Sequence, residues 1–143
     1  MRVADLLSHK GDGVFTIRPD VLIAAAIAQL VERRIGALVV SSDDKAVEGI
    51  LSERDVVRAL HQHGSRVAEE PVVSIMSSEV HTCSPDDTVE SLMAVMTNQR
   101  IRHIPVVTDG ALAGMVSIGD VVKNRMDELE HDREALMDYI TAR

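Results

Sequence analysis

The chain contains itself twice. Residues 16–40 align without a gap onto residues 82–106, a shift of 66, and residues 49–57 onto 114–122, a shift of 65. Identities fall at Thr16/Thr82, Pro19/Pro85, Asp20/Asp86, Ala28/Ala94, Arg34/Arg100, Ile35/Ile101, Val40/Val106, Gly49/Gly114, Ser52/Ser117, Asp55/Asp120, Val56/Val121 and Val57/Val122. A repeat of this length is a supersecondary unit, and one copy cannot bury its own apolar face. Two copies must therefore pack on each other, and any site at their junction comes as a related pair. Several of the repeated residues are polar, which packing alone does not require.

With 143 residues, the chain makes one modest domain or two half-size units sharing a core. Aromatics are 1% of the chain, so the core must be built from Val, Ile, Leu, Met and Ala. The net charge of −8 argues against a sequence-independent grip on nucleic acid, which needs a basic face. A local basic pocket for a small anion stays open. Cys83 is the single cysteine, so no intramolecular disulfide can form. There is no signal-like apolar run after Met1, and no stretch approaches the roughly 18 apolar residues of a membrane span. These features point to a soluble cytoplasmic protein.

Each repeat reads in the same order. An extended piece (Val14 to Ile17, Val80 to Cys83) precedes Pro19-Asp20 or Pro85-Asp86, an expected helix start. Ile23, Ile27, Leu30 and Val31, and in the second copy Val89, Leu92, Met93 and Met96, have the spacing of a helix with one buried face. Two strands follow, Ala37 to Val40 with Gly49 to Ser52, and Ile104 to Val107 with Gly114 to Ser117. The turns between them are expected at Ser42 to Lys45 and at Asp109-Gly110. A second helix is expected from Asp55 or Asp120, the first ending near Gly64. The leads around Val3 and Val73 look paired. The division is residues 1–65, residues 66–126, and an acidic helix over 127–143. Val122, Met126, Leu129, Leu136 and Ile140 lie along that last helix. They make either a core stripe or a face that pairs with a partner or a second copy. Met93, Met96, Met115 and Met126 read most simply as core filler.

The segments Gly49-Ile50-Leu51-Ser52-Glu53-Arg54-Asp55 and Gly114-Met115-Val116-Ser117-Ile118-Gly119-Asp120, with Ile101-Arg102-His103-Ile104-Pro105-Val106-Val107, carry a recognisable pattern. The chain resembles a tandem pair of CBS domains, a Bateman module of the stand-alone bacterial type. The resemblance implies an α/β fold: two β-α-β-β-α repeats packed with pseudo-two-fold symmetry, plus a C-terminal helical extension. It further implies a regulatory module and no enzyme. Such a module would bind AMP, ADP, ATP, NAD or S-adenosylmethionine between the repeats, form a homodimer and signal to a regulated protein on another chain. One site would join Ser117 and Asp120 with Arg18, Ile23, Ile35, Gly36 and Ala37. The other would join Ser52 and Asp55 with Ser84, Val89, Ile101 and His103. In nucleotide-sensing members, basic residues at the start of the second strand grip phosphates; Arg102 and His103 match them. Repeat 1 has Gly36 and Ala37 there, so the two sites are expected to differ.

The residues agree with this and leave alternatives open. A carboxylate can accept hydrogen bonds from both ribose hydroxyls, yet an Asp at a helix start is also an ordinary cap. Arg54 could hold a phosphate or pair with a surface carboxylate. His103 could bind phosphate when protonated or be a satisfied strand histidine. His61 and His63, two apart at a helix end, point away from each other, and His81 and Cys83 would share one face of a strand. A metal site is not expected from either pair, and no nucleophile or acid/base couple stands out. A second reading is an interaction subunit that acts through its C-terminal helix with no obligatory ligand.

Overall fold

The computed structural model describes residues 1–11 and 13–142. Helix α1 (Val3–Lys10) leads. Repeat 1 follows as β1 (Thr16–Ile17), α2 (Ile23–Arg33), β2 (Ala37–Val40), β3 (Gly49–Ser52) and α3 (Glu53–His63). Two 3-10 turns, Gly64–Glu69 and Val72–Ser74, link the repeats. Repeat 2 adds α4 (Val89–Gln99), β4 (His103–Thr108), β5 (Ala111–Ser117) and the long α5 (Ile118–Thr141).

In the first sheet β1 runs parallel to β2, and β2 antiparallel to β3, with Ala37 opposite Ser52. In the second sheet His103 lies opposite Ser117, and the register shifts between Val106 and Val107. The expected extended piece at Val80 to Cys83 shrinks to one bridge. Cys83 donates its N–H to the Pro105 carbonyl (3.0 Å) and accepts from the Val107 N–H (2.8 Å). This bridge stands where β1 stands in repeat 1.

Helix boundaries correct two expectations. Asp20 and Asp86 cap nothing: α2 starts after Leu22, and α4 starts after Thr88, whose hydroxyl accepts from the Ser91 N–H. Asp20 and Asp86 instead face Arg18 (3.4 Å) and Arg2 (3.8 Å) at the surface. The buried stripe of α2 is Ile23, Ala26 and Leu30, and Val31 is 72% exposed. Met96 and Met115 fill core, but Met93 and Met126 face outward. The single-residue steps of a helix turn 100°, so a stripe read from apolar type alone can slip by one position.

Three apolar clusters hold the chain. One gathers α2, β2, β3 and α3 around Ile23, Leu38 and Leu51; a second gathers α4, β4 and β5 around Leu92, Ile104 and Val116. The third, with Ala37, Val39, Val47 and Ile50 from repeat 1 against Leu112 and Met115 from repeat 2, joins the repeats.

The leads are exchanged. Val3, Leu6 and Leu7 of α1 sit in the core of repeat 2, and Val67 and Val72 of the linker sit in the core of repeat 1. The hydrogen bonds repeat in parallel. Val3 and Ala4 N–H donate to Asp87 and Pro85 carbonyls, and Val89 N–H to the Met1 carbonyl. Val72 and Val73 N–H donate to Val21 and Pro19 carbonyls, and Ile23 N–H to the Glu70 carbonyl. The repeated Pro19 and Pro85 are thus acceptors for a lead that belongs, by chain order, to the other half.

Candidate functional site

The duplicated Ser-x-x-Asp builds a helix start before it builds anything else. Ser52 is the N-cap of α3 and Ser117 the N-cap of α5, so the helices begin two residues before Asp55 and Asp120. Ser52 Oγ accepts from the Asp55 N–H (3.2 Å), and the Asp55 carboxylate accepts from the Ser52 N–H (2.9 Å). Ser117 and Asp120 repeat both bonds at 3.2 and 2.8 Å. Each aspartate is the third helical residue of a capping box, not the cap. The adjacent signature glycine is structural at Gly49: a Cβ there would meet Met76 Sδ at 2.6 Å.

Cleft A is a cavity of about 270 Å³. Ser52, Arg54, Asp55 and Arg58 face it from repeat 1, and Val80, His81, Arg100, Ile101, Arg102 and His103 from repeat 2. Asp55 is only 8% exposed. Its Oδ2 also accepts from the Ser52 hydroxyl (3.0 Å), and its Oδ1 from the Ser77 hydroxyl (3.2 Å). Arg54 donates to the Arg100 carbonyl (3.3 Å).

Cleft B, about 330 Å³, is the pseudo-symmetric partner. Ser117 and Asp120 come from repeat 2; Val14, Phe15, Arg34, Ile35, Gly36 and Ala37 come from repeat 1. Lys10 of α1 donates to Asp120 Oδ2 and to the Met115 carbonyl. Burial works to raise the Asp120 pKa, but the Lys10 ammonium and the Ser117 N–H outweigh it and hold the carboxyl below its ordinary value. The Asp120 side chain keeps 24% exposure, and among the described residues its Oδ1 accepts no hydrogen bond.

Arg34 and Arg100 end α2 and α4 in the left-handed region, each at φ 53°. The following Ile35 and Ile101 N–H groups close the turn onto Leu30 and Met96 carbonyls. This is the helix-ending geometry that glycine normally fills. Both clefts therefore receive an arginine at a position where its backbone is disfavoured. His103 lies between the clefts and lines both. Its ring approaches Gly36 so closely that a Cβ there would sit 3.0 Å from His103 Cε1. Burial, and then the Arg102 charge, holds the His103 pKa below its ordinary value.

The structure brings Ser52, Arg54, Asp55, Ile101, Arg102 and His103 into cleft A, and Ser117, Asp120, Ile35, Gly36 and Ala37 into cleft B. Four expected residues line neither. Arg18 donates to the Ser42 carbonyl (2.9 Å), Ser84 belongs to a turn closed by Asp87, and Ile23 and Val89 are core. Ile23 and Val89 are the first residues of α2 and α4 and turn inward, whereas Arg18 and Ser84 lie in the turns before those helices. Sequence reading missed Lys10, Ser77, Arg58, Phe15 and the arginines at 34 and 100. Only the last two carried a signal, being identical in the repeat. Cys83 is buried, and burial first and Asp87 second push its thiol up to about 12. Among the described residues no three His, Cys, Asp or Glu gather as a metal site, and no helix is long and apolar enough to cross a membrane.

The CBS domain profile matches residues 3–62 and 72–127. A mitochondrial CBS domain-containing protein of Arabidopsis thaliana is 35% identical over 96% of this chain and 71% of its own length. The crystal structure of a CBS-domain containing protein from Agrobacterium tumefaciens superposes with a TM-score of 0.85 at 44% identity, covering 87% of this chain and 99% of that one. A CBS domain pair in complex with 5-methylthioadenosine and S-adenosyl-L-methionine superposes at 0.76 and 24% identity, over 86% of this chain and 98% of that one.

Proposed function

The chain belongs to the CBS-domain family, and on that premise we propose that it is a regulatory, non-catalytic module. It binds an adenosine-containing nucleotide between its repeats and passes the change to a partner protein. One observation carries this reading. Each cleft joins the Ser-x-x-Asp helix start of one repeat to the second-strand start of the other. A ligand held there touches both halves, so it favours whichever relative placement of the repeats suits it, the condition for a response. Cleft B is the better ribose and base site. Asp120 Oδ1 has acceptor capacity, and Phe15, Ile35 and Met115 give an apolar wall. The similar CBS pair crystallised with adenosyl compounds lends support at the level of the fold.

The test is the thermal unfolding midpoint against AMP, ADP, ATP, NAD and S-adenosylmethionine. A ligand at 100 times its Kd adds about 2.7 kcal/mol. A selective shift that Asp120→Asn removes is the expected result; no shift with any of them defeats the reading.

A specific observation also favours an interaction surface on α5. Val122, Met126, Leu129, Leu136 and Ile140 are all more than half exposed, in the C-terminal helix that also carries the acidic residues. We propose that this face is covered by a second copy in a homodimer or by the regulated partner. Light scattering checks it: a monomer at working concentration removes the dimer.

A further inference from the structure

Resting on the nucleotide reading above, we propose that Lys10 is a releasable strap on cleft B. It holds Asp120 until a ribose takes that carboxylate, and its departure unties the end of α1 from the start of α5. Binding in cleft B is thereby felt at α1, the helix that completes the core of repeat 2.

Both clefts carry a contact of this kind, built differently. In each, the segment leading up to a repeat donates to the signature aspartate and to the carbonyl five residues before it. At cleft A the donor is Ser77. Its hydroxyl donates to Asp55 Oδ1 (3.2 Å) and its backbone N–H to the Ile50 carbonyl (2.9 Å). At cleft B the donor is Lys10, whose ammonium serves both Asp120 Oδ2 and the carbonyl of Met115, the repeat equivalent of Ile50.

The two donors differ in what else holds them. Ser77 is fixed by its backbone, because the Ile50 N–H donates in return to the Ser77 carbonyl (2.9 Å). Met76 beside it fills the space that a Cβ on Gly49 would take. Lys10 reaches cleft B by its side chain alone, which keeps 30% exposure. An ammonium is strongly hydrated and rides on a flexible stem, so it passes readily to water. Directly after it, α1 ends at Gly11 with φ 95°, a conformation that suits glycine.

A ribose needs what Lys10 holds. Its two hydroxyls donate best to both oxygens of one carboxylate. Asp120 Oδ1 accepts no hydrogen bond among the described residues, but Oδ2 accepts from the Ser117 N–H (2.8 Å) and from Lys10. Those two bonds use both lone-pair directions of Oδ2. The Ser117 bond starts α5, so the Lys10 bond is the one that gives way. Lys10 and Asp120 are also the two residues that line both cleft B and a groove of about 700 Å³ between α1 and α5. Asp127 and Glu128 stand in that groove with Lys123, so a released ammonium finds carboxylates there as well as a like charge. Strap and ribose exclude each other, and each weakens the other by the same factor.

Calorimetric titration and hydrogen exchange of the full chain test this, with adenosine and AMP as probes. Adenosine is neutral, so it competes for Asp120 without drawing the ammonium to a phosphate. We expect Lys10→Met to tighten adenosine about two- to fivefold, the range that a partly exposed ion pair supports. In the parent, saturating adenosine should speed exchange at residues 9–11, where the Gly11 N–H closes α1 onto the Leu7 carbonyl. In Lys10→Met that exchange is fast already and adenosine adds nothing. If Lys10→Met weakens adenosine or leaves it unchanged, or if residues 9–11 stay protected on binding, the strap is overturned and the nucleotide reading survives. Where AMP alone binds, exchange at residues 9–11 decides. If neither these nor the panel above binds, the nucleotide reading falls, and Lys10→Met against Asp120→Asn decides the strap. Equal speeding by each, with no more in the double variant, upholds the tie; protection in either overturns it.

Discussion

The two clefts share a plan and differ in what they leave available. In both, a serine caps a helix, an aspartate closes the box, and an arginine ends the facing helix in the left-handed region. In cleft A the aspartate is buried and accepts from the Ser52 N–H and the Ser52 and Ser77 hydroxyls, and four arginines line the walls with Glu79. In cleft B the aspartate has one oxygen that accepts no hydrogen bond among the described residues, a lysine from α1 holds the other, and Phe15 and Met115 line the wall. Duplication preserved the backbone solution, a helix start at the end of a strand. The side chains around it diverged: Arg54, Arg58, Arg100 and Arg102 line one cleft together with Glu79, and Phe15, Ile35 and Met115 line the other. His103 prevents the clefts from being wholly separate, since its ring faces both.

The sharpest way to break this comparison is to truncate the two aspartates. Asp55→Ala removes a capping box and a bond to the Ser77 hydroxyl from a buried group, and should cost about 2–3 kcal/mol. Asp120→Ala removes a box at a more exposed site and an ion pair with Lys10, and should cost about 1 kcal/mol. Urea unfolding of both variants checks this. Equal costs would mean that the two carboxylates play the same part.

A smaller effect is expected from relieving the left-handed arginines. Arg34→Gly and Arg100→Gly should each raise stability by up to about 1 kcal/mol while weakening ligand. A loss of stability in either would show that its guanidinium supports the fold.

The smallest effect concerns His103. Its folded pKa is lowered, by burial first and Arg102 second, so the unfolded chain takes up this proton more readily. Its contribution to folding is therefore intact above about 6.5 and is lost as the pH falls from there through the folded value. If a ligand's phosphate lies against His103, it favours the protonated ring and binding draws in a proton. Affinity for ATP should then rise a few-fold as the pH falls from about 7.5 to about 6. His103→Asn should flatten that profile; an unchanged profile would remove His103 from the phosphate site.

Much of the architecture was legible from the chain. The repeat placed both sheets and four helices. It also placed the two serine–aspartate pairs, because helix starts and turns are written in residues within a few positions of one another. The apolar stripes were less secure. Val31 and Met93 have apolar side chains at helical spacing but lie just off the buried face. The carry-over to Arg18, Ile23, Ser84 and Val89 did not locate the cleft walls, since those side chains turn to the surface or into the cores.

By itself the sequence determined that there are two units, which strands pair, and that an α-helix follows β3 and β5, though its start was expected at Asp55 and Asp120 and lies two residues earlier. It also determined that repeat 2 is richer in cations where the second strand starts. All of these are local: they depend on hydrogen bonds and side-chain periodicity within a turn or a hairpin. Only the tertiary structure decided that α1 completes the core of repeat 2 and the linker completes the core of repeat 1. It also decided that Lys10 reaches Asp120 across 110 residues, that Ser77 engages Asp55, and that His103 leans on Gly36. Those contacts join residues far apart in the chain, where burial of the leads and the closeness of the two repeats settle which polar groups meet. That is why the difference between a carboxylate bonded by Ser77 and one bonded by Lys10 could not be read from two identical motifs.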